Sequence, residues 1–293
     1  MYLMTVAWKR GCMEEWRGMP VVKAIAEKLT IDIEELKKNG VVPTLAVIRV
    51  GEREDDLSYE RGLMKRFDSV NAKVVSKVLA VDVSQDELEK VIKECNEDDA
   101  IHGILLFRPL PKHIDEKAVT ELVSARKDVD CMTMDNFAHT FIQDKKGHEP
   151  CTAQAVMEMF NHYGYDLTGK RVVVVGRSMV VGKPLSMMLQ KKNATVIMCH
   201  TKTVDLQKEC RDADVICACA GVPKMITSDY IKEGQVIIDV GINVVDGALC
   251  GDVDYDAAKE YAAYATPVPG GVGTVTTSVL LMHTVNSAKC SNS

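Results

Sequence analysis

The stretch KRVVVVGRSMVVGKP, residues 170–184, decides the fold of this 293-residue chain. Four consecutive valines follow two basic residues and end at Gly176, which is typical of a central parallel strand covered on both faces. A glycine there lets the chain turn sharply into a helix, whose first amide groups carry a partial positive charge that suits phosphate. The stretch therefore predicts the strand, turn and helix with which an open α/β sheet holds a dinucleotide.

The glycine spacing in this turn leaves a second interpretation open. Gly176 is followed next by Gly182, so the Gly-x-Gly-x-x-Gly pattern of many dinucleotide folds is missing. A strand, turn and helix that only pack together would fit the stretch equally well when it is taken alone. If the turn holds a cofactor, its contacts are Gly176, Arg177, Ser178 and Gly182.

A second strand, predicted at residues 194–200, should end near the adenosine ribose of such a cofactor. An acid at this strand end usually accepts hydrogen bonds from both ribose hydroxyls of NAD. Here the strand runs into His200 and Thr201, and the first carboxylate comes only at Asp205. The donor fork of Arg177 and the nearby hydroxyls suit a 2′-phosphate, so the sequence favours NADP over NAD.

Length and composition indicate a globular protein of about two domains, because 46% hydrophobic residues suffice for two cores. The formal net charge of −6 argues against a nucleic-acid partner, which would need a basic face. Ten cysteines are scattered without a zinc spacing, so we expect reduced core thiols and no metal site. No long apolar run occurs, which predicts a soluble, cytoplasmic protein without a membrane partner.

Helices and strands alternate in the first 149 residues. Apolar positions over 22–36 form one helix face that ends near Gly40, a natural left-handed stop. Ser84 opens a capping box and hence a second helix. Three strands are predicted, at residues 44–50, 73–80 and 101–107. The third runs into Arg108 and Pro109 at the strand edge where parallel sheets bind ligands.

The remaining strands are each followed by a glycine. They are predicted at residues 215–220, 235–240 and 263–268, before Gly221, Gly241 and Gly270. The last leads into PVPGGVGT, residues 267–274, where three glycines let the backbone approach a ligand closely. Because a tight turn needs fewer glycines and prolines, we predict a ligand wall here, although a simple turn is the alternative.

Several motifs together resemble the methylenetetrahydrofolate dehydrogenase/cyclohydrolase family. They are GRSMVVGKP at 176–184, ATVIMCHT at 194–201, IDVGIN at 238–243, GDVD at 251–254 and TPVPGGVG at 266–273. The likeness extends upstream through KDVD at 127–130 and PCT at 150–152. It covers essentially the whole chain in order, and the combination of motifs is highly specific.

The resemblance implies a two-domain α/β fold with an interdomain cleft. Residues 1–149 would form the folate-binding, catalytic domain, residues 150–274 a Rossmann-like, doubly wound parallel-sheet domain for NADP, and the helix at 275–293 would pack back on the first. The implied activity is the oxidation of 5,10-methylenetetrahydrofolate to the methenyl form by hydride transfer to NADP, in one-carbon metabolism. The resemblance also implies a homodimer.

Individual residues take implied roles from the same resemblance. Tyr59 matches the active-site tyrosine, whose ring would pack along the pterin, and Asp130 matches the aspartate that binds its amino-pyrimidine edge. These two are the expected catalytic and substrate-binding residues, with Pro269, Gly270 and Gly271 also against the substrate. The expected cofactor contacts are Gly176, Arg177, Ser178, Gly182, His200, Thr201, Gly221, Gly241, Ile242, Gly273 and Thr276.

The chain departs from the family pattern on the substrate side. The family's lysine, four residues after the tyrosine, is Leu63 here, its glutamine is Phe107, and its serine is Asp56. Lys65 lies about 240° round a helix from Tyr59 and cannot point to the same spot. Since a proton-transfer group contributes about 10²- to 10⁴-fold, we expect weak or no cyclohydrolase activity.

Three alternatives stay open. The chain could be a bifunctional enzyme that uses a different proton-transfer group, with Arg108 or Lys65 brought in by local rearrangement. It could be a different dehydrogenase on the same two-domain plan, of the shikimate or amino-acid type. It could also be a non-catalytic module that binds folate or NADP and acts through a partner.

Overall fold

The computed structural model describes residues 12–144 and 146–291. Its strands are β1 Glu14–Glu15, β2 Thr44–Val50, β3 Lys73–Leu79, β4 Gly103–Leu106, β5 Arg171–Val175, β6 Thr195–Cys199, β7 Val215–Ala218, β8 Val236–Asp239, β9 Asn243–Val245, β10 Ala248–Cys250 and β11 Tyr264–Ala265. Its helices are α1 Gly18–Lys38, α2 Glu54–Asp68, α3 Gln85–Glu97, α4 Glu116–Thr120, α5 Met134–Ile142, α6 Cys151–His162, α7 Gly182–Lys191, α8 Leu206–Asp212, α9 Tyr255–Tyr261 and α10 Val272–Cys290.

Contacts between residues group the chain into two compact units. One unit, called the substrate unit below, comprises residues 22–151 and 277–291. The other, called the cofactor unit, comprises residues 12–21 and 152–276. These names follow the roles that the resemblance implies for each part of the chain.

The substrate unit is built on a three-stranded parallel sheet in the order β3-β2-β4. All seven residues of β2 are buried, as expected for the central strand of a sheet covered on both faces. Apolar side chains of β2 and β4 pack with α3, where Leu88 and Ile92 are fully buried. The Ser84 hydroxyl accepts a hydrogen bond from the Glu87 amide, which confirms the predicted start of α3.

The last part of α10 packs within the substrate unit. The Ser287 hydroxyl donates to the Arg126 carbonyl over 3.1 Å. The Lys289 ammonium lies 2.7 Å from the Asp32 carboxylate. The first five residues of α10, 272–276, belong to the cofactor unit, and the rest of the helix belongs to the substrate unit.

The cofactor unit contains a six-stranded parallel sheet in the order β1-β11-β8-β7-β5-β6. From the interior strand β5 the chain first adds β6 on one side and then returns to add β7 on the other. This reversal is the topological switch point of a doubly wound sheet, and ligands bind there, beyond the carboxyl ends of the strands. The predicted α/β fold class is confirmed.

Residues 12–21 belong to the cofactor unit, although the sequence predicts residues 1–149 for the first domain. Strand β1 pairs in parallel with β11, with Glu14 opposite Tyr264. Next to it, the Trp16 ring stacks on Tyr163 with ring centroids 4.8 Å apart. A two-residue strand of glutamates has no apolar pattern, so only its pairing partner reveals it.

Most of the cysteines are buried. Cys95, Cys131, Cys151, Cys199, Cys210 and Cys217 are buried, Cys219 and Cys250 are partly exposed, and Cys12 and Cys290 are exposed. Burial raises the pKa of the Cys210 and Cys219 thiols to about 12, which keeps both protonated and unreactive. Across residues 12–144 and 146–291, no helix is long and apolar enough to cross a bilayer, and no three His, Cys, Asp or Glu side chains are grouped as metal ligands.

Candidate functional site

The substrate unit has a cleft of about 340 Å³ where strand β4 ends and helix α2 begins; we call it the Tyr59 cleft. Its lining residues are Asp55, Asp56, Tyr59, Leu105, Leu106, Phe107, Arg108 and Asp130. The two residues expected from the sequence to bind substrate, Tyr59 and Asp130, therefore line one cleft. Apolar walls and a few polar groups are the usual make-up of a small-molecule site.

The aromatic wall of the Tyr59 cleft is formed by two rings. Tyr59 and Phe107 meet edge to face, with centroids 5.8 Å apart. Tyr59 keeps 38% of its surface exposed, so its ring is available to a planar ligand. Desolvation, reinforced by the negative charge of Asp130, raises the pKa of Tyr59, so its hydroxyl stays protonated and can donate.

The carboxylate of Asp130 lies at the amino terminus of helix α6. Cys151, the first residue of that helix, lies next to it and donates its thiol to the Val129 carbonyl over 3.2 Å. Burial raises the pKa of Asp130 to about 6, although the neighbouring Cys151 and the charge of Arg108 oppose the shift. Asp130 is therefore mainly ionised at pH 7 and can still take up a proton in mildly acidic solution.

A second aspartate, Asp128, fixes the turn that carries Asp130. Its fully buried carboxylate accepts hydrogen bonds from the Met132 and Thr133 amides, each over 2.9 Å, and from the Thr133 hydroxyl over 2.8 Å. The turn includes Cys131 in the left-handed region at φ 56°, a conformation that costs a non-glycine residue energy. Nothing in the sequence predicts that Asp128 holds the turn in this way.

No cationic amine takes the position that the family lysine would occupy. Leu63, one helical turn after Tyr59, has 0% exposure and belongs to the buried face of α2. Lys65 is exposed and does not line the Tyr59 cleft. In the part of the chain that the structure describes, no lysine lines this cleft.

A buried ion pair fastens helix α2 to the sheet next to Tyr59. The Arg49 Nε donates to Glu60 Oε2 over 3.0 Å, and the Ser76 hydroxyl donates to the other oxygen of Glu60. Arg49 also donates to the Gly51 carbonyl. The sequence does not predict this network, because Glu60 lies in a helix with several other acids and nothing local marks it as buried.

On the cofactor unit, the turn after β5 admits only glycine at two positions. Gly176 has φ 137°, and a Cβ added there would overlap the Cys219 carbonyl. A Cβ at Gly182, the first residue of α7, would overlap the Gly176 carbonyl. The Ser178 hydroxyl accepts from the Val181 amide over 3.1 Å, and the Arg177 side chain is exposed.

The end of strand β6 lies beside this turn. Because Val175 pairs with Cys199, Arg177 and the pair His200 and Thr201 follow neighbouring strands at one edge of the sheet. The His200 amide donates to the Thr203 hydroxyl over 2.8 Å. The first acid after the strand, Asp205, caps helix α8 by accepting from the Lys208 amide, so its carboxylate already has a structural role.

A second cavity, of about 220 Å³, lies in the cofactor unit; we call it the glycine pocket. Six residues expected to bind ligands line it, namely Gly241, Ile242, Pro269, Gly270, Gly271 and Gly273. Besides the expected cofactor contacts at the ends of β5 and β6, Gly221 and Thr276 also lie outside its lining. The Gly221 amide donates to Asp252, and the Thr276 hydroxyl donates to the Val272 carbonyl over 3.5 Å within α10.

These features fit a dinucleotide. Close backbone packing at Gly176 and Gly182 leaves these two positions without side chains where amides open α7, as phosphate binding at a helix start requires. The exposed guanidinium of Arg177 supplies donors at the same sheet edge. The residues present would therefore hold a nicotinamide dinucleotide along the ends of β5, β6 and β8.

Comparison with known proteins gives matches along almost the whole chain. Residues 16–130 match the catalytic domain of tetrahydrofolate dehydrogenase/cyclohydrolase, and residues 150–292 match the NAD(P)-binding domain of the same family. The bifunctional protein FolD of Clostridioides difficile strain 630 is 47% identical over 277 residues, covering 94% of this chain and 96% of the relative.

Solved structures agree with the sequence comparison. The bifunctional FolD of Campylobacter jejuni superimposes with a TM-score of 0.92 at 38% identity, over 95% of this chain and 99% of that one. The Trypanosoma brucei enzyme, complexed with NADP and an inhibitor, gives a TM-score of 0.90 at 35% identity, over 97% and 99%. The chain therefore belongs to the tetrahydrofolate dehydrogenase/cyclohydrolase family.

Proposed function

We propose that this chain oxidises 5,10-methylenetetrahydrofolate to 5,10-methenyltetrahydrofolate with NADP, and that its cyclohydrolase activity is weak or absent. The observation that carries the proposal is the composition of the Tyr59 cleft, whose described lining keeps the phenol and the carboxylate and has no lysine, while Leu63, at the position of the family lysine, is fully buried. The glycine turn after β5 keeps the features that a dinucleotide needs.

The substrate side of the proposal is based on Tyr59 and Asp130. A carboxylate can accept two hydrogen bonds from the amino-pyrimidine edge of a pterin, which presents donors. The phenol of Tyr59 stays protonated and can donate while its ring packs against the ligand. Together they would orient the folate without either group removing a proton.

Hydride transfer needs little more than this orientation. The methenyl cation is stabilised by its own two nitrogens, and the bound nicotinamide supplies the hydride acceptor, so the protein contributes mainly positioning. A site that has lost a proton-transfer group can therefore remain an effective dehydrogenase.

Hydrolysis of the methenyl group has a different requirement, because attack by water depends on proton transfer. Arg108 lines the Tyr59 cleft, but a guanidinium stays protonated and cannot act as a base. The raised pKa of Tyr59 makes it a poor acid at neutral pH. Asp130, which lines the same cleft and has a pKa of about 6, could exchange protons near neutrality, and this supports a bifunctional enzyme as the second candidate.

The relatives named bifunctional make this second candidate worth a direct test. Purified protein is mixed with methylenetetrahydrofolate and NADP, and the formation of NADPH, methenyl and 10-formyl products is followed over time. We expect the methenyl product to accumulate in step with NADPH, with hydrolysis at the rate of an enzyme-free control. Formation of 10-formyltetrahydrofolate at a rate comparable to NADP reduction would overturn the proposal.

The preference for NADP is proposed from Arg177 and from the carboxylate-free end of β6. Arg177→Ala should lower kcat/KM for NADP about tenfold or more and change that for NAD by less than about twofold. Lys192→Ala, at the far end of α7, is the matched control for loss of a surface charge. Equal losses for both cofactors in R177A would place the 2′-phosphate elsewhere.

Two further properties are proposed from the family resemblance, a homodimer and a cytoplasmic location. Sedimentation equilibrium of the purified protein tests the first, and a monomer at micromolar concentration would refute it. Fractionation of cells tests the second.

A further inference from the structure

Two buried carboxylates, Asp239 and Asp252, hold the loops proposed to contact the cofactor; Asp239 is part of the lining of the glycine pocket and Asp252 is not. Asp252 has 0% exposure, and its Oδ2 accepts hydrogen bonds from the Ala220 amide over 2.6 Å and the Gly221 amide over 2.8 Å. Its Oδ1 accepts from the side-chain amide of Asn243 over 2.9 Å. One side chain thus holds both the loop after β7 and the start of β9.

Asp239, at the end of β8, locks the backbone on either side of Asp252. It is 3% exposed and accepts from the amides of Asp252, Val253 and Gly241 over 2.9, 3.0 and 3.1 Å. Burial raises the pKa of Asp239 to about 7. The two acids belong to one hydrogen-bond network, in which the donors to the carboxylates are backbone amides and the side-chain amide of Asn243.

Burying two carboxylates side by side costs free energy of folding unless their hydrogen-bond donors are held in place. Within the described residues, neither acid forms an ion pair with a basic side chain, so backbone amides and the side-chain amide of Asn243 compensate the buried charge. Glycines make the approach possible, since a Cβ at Gly241 would overlap the Asp252 carboxylate and one at Gly251 would overlap that of Asp239.

The backbone of Asp252 is held independently of its side chain. The Ile226 amide donates to the Asp252 carbonyl over 2.9 Å, and the Asp254 amide donates to the Ile226 carbonyl over 2.9 Å. The Lys224 amide donates to the Gly251 carbonyl over 3.0 Å. Asp252 therefore projects from a fixed strand-like segment towards residues 220 and 221, which it restrains.

From this geometry we infer that Asp252 is a positioning residue for the dinucleotide. It does not line the glycine pocket, and it acts by holding the Gly221 amide and, through Asn243, the turn that includes Gly241 and Ile242. The inference rests on the proposed function, in which those glycines and Ile242 contact NADP. Pre-set loops of this kind bind a ligand without the cost of ordering them.

Asp252→Asn tests the inference because it keeps the shape and replaces one acceptor oxygen by a donor that faces amides. Binding of NADPH is measured directly by fluorescence titration, and KM for methylenetetrahydrofolate at saturating NADP. We expect NADPH to bind about tenfold more weakly and the folate KM to change less than about twofold, because Tyr59 and Asp130 belong to the substrate unit.

Asp254→Asn is the matched control. It lies two residues away, and its carboxylate caps helix α9 by accepting from the Asp256 amide over 3.2 Å. We expect it to lower the Tm as a weakened helix cap does and to leave NADPH affinity within about twofold of wild type.

Folded D252N with wild-type NADPH affinity would overturn the inference, and so would equal weakening of both ligands. If D252N does not fold, Asn243→Ala is the second test, because it removes a single, partly buried donor to Asp252. We expect this variant to bind NADPH about threefold more weakly. Unchanged NADPH binding would refute the positioning role of Asp252. Failure of the wild-type chain itself to bind NADPH would instead refute the proposed function.

Discussion

The turn after β5 and the Tyr59 cleft differ in which part of the chain would do the binding. In the turn, glycines bring backbone amides together, and overlap excludes any side chain at Gly176 and Gly182. In the cleft, the proposed chemistry depends on the side chains of Tyr59 and Asp130. A site made of backbone cannot change without disturbing the fold, whereas a site made of side chains can lose one reaction through a few substitutions, as we propose for Leu63 and Phe107.

The largest effect is expected from breaking the backbone site. Gly176→Ala would place a Cβ against the Cys219 carbonyl at φ 137°, so strain of about 1–3 kcal/mol and a similar cost of overpacking combine. NADPH affinity should fall on the order of 100-fold, as measured by fluorescence titration.

Gly164→Ala is the control for that variant. Gly164 also has a positive φ, 66°, in the same unit, but a Cβ there would meet open space. We expect a small loss of stability and unchanged NADPH affinity. An equal loss of affinity in both variants would mean that the strain acts on the whole unit rather than on the turn.

The next effect concerns the side-chain site. Asp130→Asn should lower kcat/KM for methylenetetrahydrofolate on the order of 100-fold, since hydrogen bonds to a charged group contribute about 1.5–3 kcal/mol each. NADPH affinity should stay within about twofold, because Asp130 and the β5 turn belong to different units. Loss of NADPH binding in this variant would contradict the separation of the two sites.

A smaller effect is expected from pH. Because burial raises the pKa of Asp130 to about 6, the carboxyl takes up a proton as the pH falls through 6 and loses acceptor capacity. The kcat/KM for folate should therefore drop about tenfold per pH unit below 6, measured at saturating NADP to remove any effect of Asp239. A profile without this limb would show that Asp130 need not be ionised.

The raised pKa of Asp130 affects stability in the opposite direction from activity: acid lowers the activity but favours the folded state. A raised pKa means that the protonated form favours the fold, so this contribution is full below about pH 4 and is lost as the pH rises through 6. Asp130→Asn should accordingly raise the Tm at pH 8 more than at pH 4, measured by calorimetry. A lower Tm at pH 8 would indicate that the favourable effect of Arg108 and Cys151 on the ionised carboxyl outweighs the burial.

The smallest gain is expected from restoring the missing amine. Leu63→Lys puts a charge at a position with 0% exposure, so the free energy of unfolding should fall by about 2–4 kcal/mol and cyclohydrolase activity should rise less than about tenfold. Leu63→Met, which conserves volume, should change neither by much. A 100-fold rise in L63K would show that one residue accounts for the whole deficit.

Local patterns were sufficient to predict much of the fold. The prediction of a strand at residues 44–50 is confirmed by β2, because its continuous apolar run is buried on both faces. The strand predicted at 263–268 is only two residues long, Tyr264–Ala265, since the prolines that follow cannot continue a ladder. The hairpin of β9 and β10 was missed, because exposed valines on short strands give no clear alternation.

Some residues of the candidate site can be predicted from the sequence and others cannot. The glycines of the glycine pocket are visible in the sequence, because few other roles demand three glycines within the four residues 270–273, and Gly176 is visible because it ends a run of four valines. The supporting acids Asp128, Asp239 and Asp252 cannot be recognised in the sequence, because an aspartate that will be surrounded by backbone amides looks there like any other aspartate. A polar residue within an apolar run, as in IIDV at 237–240, is the one available signal that such an acid is buried.

The distribution of thiols gives the protein two convenient handles for spectroscopy. Cys12 is exposed on the cofactor unit and Cys290 is exposed on the substrate unit, whereas the partly exposed Cys219 has its pKa raised by burial. With Cys250 changed to serine, maleimide dyes should attach selectively at Cys12 and Cys290. Energy transfer between the dyes would then report the separation of the two units in solution as folate and nicotinamide ligands are added.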